Sequence, residues 1–229
     1  MVKDFGVELK KVYNGDFKIY SADNFQNSFI LACGNDGVHI IDNNTYRFLE
    51  RIETVGAAFD AKAHGYRIYV AEGIGGVEIF EVYGIAYRKI ITFNPGKDIV
   101  SVEINDDGRY MKCICKDGTA VYADISNEAD IVEAEVSDSL FRTELVPCIK
   151  LMEEYPGICY VNMYVFVSCD CESGVVSMVD INTNKLIAQF CPEAKPIRPV
   201  LFGKRNLLLT EDGYYEILFH ELVVAASQL

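Results

Sequence analysis

Carboxylates recur at matched places along this 229-residue chain. Asp23, Asp60 and Glu103 precede the glycines Gly37, Gly76 and Gly118 by 14, 16 and 15 residues, and Glu153 is the candidate for the next repeat. Acids at one position of a repeated unit can converge at the mouth of a channel. Crowded like charges there raise some pKa values or hold a cation. Asp60 and Glu103, so placed, are the pair that an enzymatic reading would set to work on a small ligand. The alternative is that these acids are solvated strand ends, the commoner fate of such residues.

Other chemistry-bearing residues have plainer readings. Cys113 and Cys115 stand five and three residues before Gly118, and Cys169 and Cys171 take the same offsets before Gly174. Zinc needs ligands converging on one tetrahedron, whereas equivalent residues on neighbouring units point the same way, so these thiols are expected to pack and no metal is expected. Gly73, Gly75 and Gly76 join two strands with no helix following, which suits a hairpin and not a phosphate cradle. His39, His64 and His220 lie in separate units. Asp106-Asp107-Gly108 lacks the downstream acid of a calcium loop and reads as a turn.

The elements that would position these groups repeat. Arg67 to Val82 holds two apolar runs around a glycine-rich turn, and the pattern returns around Gly37, Gly118, Gly174 and Gly213, at spacings of 39, 42, 56 and 39 residues. A strand-built period of about 40 residues indicates propeller blades. The first unit is expected to run Phe17–Ala22, Phe29–Cys33, Val38–Asp42 and Tyr46–Ile52. The second is expected to begin with Ala57–Ala61, the third with Ile99–Ile104, and the fifth with Val200–Phe202. Repeat units fall at about 17–52, 57–93, 98–136, 142–190 and 197–229 of a single domain spanning 1–229, with an insertion at about 137–160. Phe5–Tyr13 alternates as a strand and competes with the run Glu221–Ala226 for the outer place in the last blade.

The fold class expected is all-β: a five-bladed β-propeller of four-stranded antiparallel blades, its ring closed by pairing of terminal strands. The valine-rich strand that ends at an acid resembles the LVIVD-type repeats, with Asp42, Glu81, Asp124 and Asp180 at the terminal position and no equivalent in the fifth unit. That resemblance spans about residues 17–220 and implies a propeller without implying an activity. Five-bladed glycosidases resemble the alternative reading, in which Asp60 and Glu103 are channel carboxylates.

A net charge of −13 argues against nucleic-acid and anionic-membrane partners. No run reaches the length of a membrane span, and the N-terminus lacks an export signal's apolar core. The chain is therefore expected to be cytoplasmic, with its eight cysteines reduced and mostly buried. The function expected is a binding scaffold presenting loops of one face to a protein or small-ligand partner, as a monomer or a module of a larger assembly, with no cofactor. Asp23, Asp60, Glu103 and Glu153 are its candidate binding residues.

Overall fold

The computed structural model describes residues 7–13, 17–127, 129–141, 154–155, 158–162, 165–202 and 205–219. Its regular elements with described bounds are strands and a short 3-10 turn at Asp138–Phe141. Among the described residues the strands form five four-stranded antiparallel sheets. The first comprises Ser21–Phe25, Ser28–Ala32, Val38–Asp42 and Phe48–Ile52, and the second Asp60–His64, Arg67–Ala71, Val77–Tyr83 and Ala86–Phe93. The third holds Ile99–Ile104, Tyr110–Cys115, Ala120–Asp124 and Val132–Glu133. The fourth holds Ile158–Asn162, Val165–Asp170, Val175–Asp180 and Lys185–Phe190. The fifth joins Pro196–Phe202, Arg205–Thr210 and Gly213–Phe219 to the N-terminal strand Val7–Tyr13.

That last pairing resolves the competition for the outer place. Val7 lies opposite Phe219 and Leu9 opposite Ile217, so the N-terminal strand covers the edge left by Gly213–Phe219. Glu221–Ala226, the competing run, lies outside the described residues.

In the first sheet burial follows strand order. Its second and third strands are buried on both faces, which explains why they read as continuous apolar runs. The fourth, Phe48–Ile52, is mostly exposed and carries Glu50 and Arg51. The turn between second and third strands needs glycine. Gly37 and Gly76 have φ of 74° and 87°, and a Cβ on either would run into a fourth-strand carbonyl, that of Ile52 or Phe93.

The chain divides into two compact units, 17–143 and 1–16 with 144–229. In the first, Ile30, Ile40 and Ile52 pack against Ile68, Val70 and Phe80, joining the first two sheets. Tyr69, Ile79 and Phe93 meet Val102, Met111 and Cys113, joining the second sheet to the third. In the other unit Val167, Cys169 and Met178 pack with Leu208, Ile217 and Leu9.

First strands are where sequence and structure part. The first sheet opens at Ser21–Phe25 and not Phe17–Ala22, and the second at Asp60–His64 and not Ala57–Ala61. Both segments are polar, and their polar side chains are used between sheets. The fifth opens earlier than Val200, at Pro196–Phe202, because a strand at a sheet's edge tolerates Pro196 and Pro199. The fourth begins at Ile158–Asn162, inside the stretch read as an insertion; most of that stretch lies outside the described residues.

Candidate functional site

The acids singled out by spacing sit on first strands, but they reach sideways. Asp23 Oδ2 accepts the Ala63 amide at 3.0 Å, and the Ser21 hydroxyl accepts that of Ala61 at 3.0 Å, both on the neighbouring first strand. Asp60 repeats the device one sheet on: its Oδ2 accepts the Ser101 hydroxyl at 2.6 Å and the Val102 amide at 3.1 Å. Adjacent first strands share no ladder, so side-chain oxygens satisfy amides that would otherwise be buried and unpaired.

Asp60 is 4% exposed. Burial alone would raise its pKa, but Lys62, 3.8 Å from Oδ1, and hydrogen bonds from Ser101, Ser21 and the Val102 amide hold the carboxyl below the usual range. It is an ionised, structurally occupied acid. Glu103 is more open and lies 3.6 Å from Lys112, which also contacts Asp138 at 2.7 Å. Glu153 lies outside the described residues.

A second group of acids escaped the spacing argument. Glu72, at the start of the hairpin turn, and Glu78, on the strand after it, are 4% and 2% exposed and lie beneath the connection from the first sheet to the second. Glu72 Oε2 accepts the Gly56 amide at 2.7 Å, Glu78 Oε2 accepts the Val55 amide at 3.3 Å, and Lys89 pairs with Glu78 Oε1. Glu72 Oε1 is buried and meets no donor among the described residues. Burial, then the neighbouring Glu78, pushes the Glu72 carboxyl up to about 8, while Glu72 and Lys89 outweigh burial and lower that of Glu78. A proton on Glu72 facing a carboxylate on Glu78 satisfies both. The available sequence signal was Glu78 itself, a charge between Val77 and Ile79 in a strand buried on both faces.

The acids that end third strands have a local duty. Asp42 accepts the Asn44 and Thr45 amides, Asp124 the Ser126 amide, and Asp180 those of Asn182 and Thr183. Each closes the turn into the fourth strand. Glu81 instead takes the Tyr83 hydroxyl at 2.8 Å and Arg88 at 2.7 Å. Asn105 and Asp107 likewise cap their own turn through the Tyr110 and Arg109 amides.

Among the described residues Cys33, Cys113, Cys115, Cys169, Cys171 and Cys191 are free thiols. Cys113 belongs to the core between second and third sheets, and Cys169 to that between fourth and fifth. Cys171 donates to the Ile197 carbonyl at 2.8 Å. No group of three or more His, Cys, Asp or Glu among the described residues is arranged to hold a metal. His39 is buried between the rings of Phe17 and Phe48 and pairs with Asp36 at 2.7 Å; burial lowers its pKa. His220 lies outside the described residues.

Exposed apolar side chains gather at turns of the second sheet. At one end Tyr66, Tyr83 and Ile85 are exposed, with the two tyrosine rings 5.6 Å apart between centroids. At the other, Val55 and Ile74 are 87% and 83% exposed, on the two loops that flank Glu72. No helix among the described residues is long and apolar enough to cross a membrane.

No known protein family matches this chain, and no curated protein matches it either. Among solved structures, the chain is similar to the β-propeller domain of Cps50 (Swd1) from Myceliophteria thermophila, at 12% identity and a TM-score of 0.45. It is also similar to the computationally designed protein Ika8, at 12% identity and a TM-score of 0.41. These alignments cover 89% and 88% of this chain but only 65% and 58% of the two structures.

Proposed function

We propose that the five sheets are blades of one β-propeller, shut by the pairing of Val7–Tyr13 with Gly213–Phe219, and that the chain is a binding scaffold. The observation that carries the binding role is the exposed group Tyr66, Tyr83 and Ile85, built on two adjoining turns of one sheet. Large exposed apolar groups are enriched where a partner docks, and tyrosine offers contact area at low entropic cost. The partner in this reading is a protein or small ligand, neutral or basic in view of the −13 net charge, met in a reducing compartment such as the cytoplasm. The kinship with LVIVD-type repeats rests on the turn-closing acids Asp42, Asp124 and Asp180.

The test compares saturable partner capture by the immobilised chain with capture by a Tyr66→Ser, Tyr83→Ser, Ile85→Ser variant of unchanged thermal stability. Capture is expected to fall at least tenfold, the equivalent of about 1.4 kcal/mol. Equal capture by the two proteins removes these turns from the reading, and no saturable capture by either removes the scaffold role.

The enzymatic alternative, with Asp60 and Glu103 acting on a small ligand, has less in its favour. Asp60 Oδ2 is already bonded to Ser101 and Val102, and Glu103 is paired with Lys112.

A further inference from the structure

We infer that the cleft between the Glu154–Tyr155 segment and one face of the fourth sheet is a binding site for a small ammonium-bearing ligand. The face is divided in two. Phe166 and Val179 form an apolar half, and Tyr155 packs on it. Two residues along the strands Ser168 lies opposite Ser177, and Ser177 opposite Gln189, so a polar row crosses three strands. Over that row lies a cleft of about 210 Å³, with Glu154, Tyr155 and Asp170 on its walls.

Ser168 and Ser177 are buried, at 2% and 4% exposure. Ser177 Oγ accepts from Gln189 Nε2 at 3.0 Å, which leaves the Gln189 carbonyl oxygen and the Ser177 proton for another partner. The Ser168 hydroxyl lines the cleft and has no partner among the described residues. A hydroxyl on a buried residue costs stability unless something answers it, and in this row the Ser168 hydroxyl is left for an occupant of the cleft to answer.

Charge selects the kind of occupant. Asp170 is held ionised by the Ser173 hydroxyl and the Glu172 and Ser173 amides, which lower its pKa. With Glu154 this gives two carboxyl groups and, among the described residues, no Lys, Arg or His on the cleft wall, an environment that repels phosphates and carboxylates. An ammonium group brings the donors that Gln189, Ser168 and the acids can accept, and Tyr155 supplies an apolar wall for its methylenes. The inference rests on the fourth sheet alone and stands whether or not the turns of the second sheet bind anything.

Putrescine is the probe, titrated calorimetrically into the full chain at near-physiological ionic strength, with butane-1,4-diol as its uncharged isostere. Saturable binding at about 1 mM or tighter is expected for putrescine, with the diol at least tenfold weaker. Glu154→Gln, an exposed change, and Ser168→Ala are each expected to weaken putrescine about fivefold or more. No saturation, equal binding of the diol, or full binding by Glu154→Gln overturns the proposal. The last result would mean that putrescine gathers unspecifically on an acidic surface. If Ser168→Ala does not fold, amide chemical-shift changes replace it: they must centre on Ser168, Ser177 and Gln189, and changes elsewhere count against the site.

Discussion

Glu72 and Glu78 place two buried carboxyls side by side at the hairpin end of the second sheet, one with its pKa raised and the other with its pKa lowered. Glu72 titrates at about 8 in the folded chain against an ordinary 4.5, so the folded state holds a proton that the unfolded state has released between those values. The contribution of this group to stability therefore falls as pH rises through that window, by at most about 1.4 kcal/mol per pH unit. Glu72→Gln, which fixes the neutral form, is expected to flatten the slope. Urea unfolding at several pH values between 5 and 9 checks this, and parallel curves for the two proteins would show that Glu72 carries no such proton.

Asp60 titrates in the opposite sense. Its contribution is complete above its ordinary value of 3.8 and is lost as pH falls through the lower folded-state value. Replacing it strands the Val102 amide and leaves Lys62 without its partner. Asp60→Ala is expected to cost about 3 kcal/mol, and Asp60→Asn less, because the amide oxygen still accepts from Val102. An unchanged denaturation midpoint in Asp60→Ala would show that the joint between first strands contributes nothing.

Gly76 and Gly65 both have positive φ, at 87° and 61°, but differ in surroundings. A Cβ at Gly65 meets nothing, whereas one at Gly76 meets the Phe93 carbonyl and Asn94. Gly65→Ala is expected to cost about 1 kcal/mol, from backbone strain alone, and Gly76→Ala clearly more. Thermal unfolding of the pair decides it; equal losses would mean that the turn shifts freely away from the fourth strand.

The thiols should divide by burial. Burial pushes Cys113 and Cys169 up to about 12 and raises Cys33 also, so little reactive thiolate exists at neutral pH. Cys191 is exposed. In the native chain a maleimide should modify Cys191 quickly and the other three only on unfolding, as followed by mass spectrometry of peptides. Rapid native labelling of Cys113 would contradict its place in the core.

Much of the sheet architecture could be read directly from the residues. Ser28–Ala32 and Val38–Asp42 read as near-continuous apolar runs because both faces are covered, and Gly37 and Gly76 mark hairpins that no other residue fits. Periodicity records this because burial and positive φ select residue types locally. The first strands Ser21–Phe25 and Asp60–His64 were displaced, since a polar segment looks like a turn until the neighbouring strand that accepts its side chains is in place.

What chain order could not express was partnership across distance. The choice of Val7–Tyr13 as fourth strand of the fifth sheet depends on an unfilled edge some two hundred positions away. Asp60 became a tie between strands, and Glu72 a protonated acid, only because tertiary packing set an amide beside one and a second carboxyl beside the other. Residue type determines what a side chain can do. Whether it is ionised, occupied or free is decided by the dielectric, donors and charges that folding brings within a few ångströms of it.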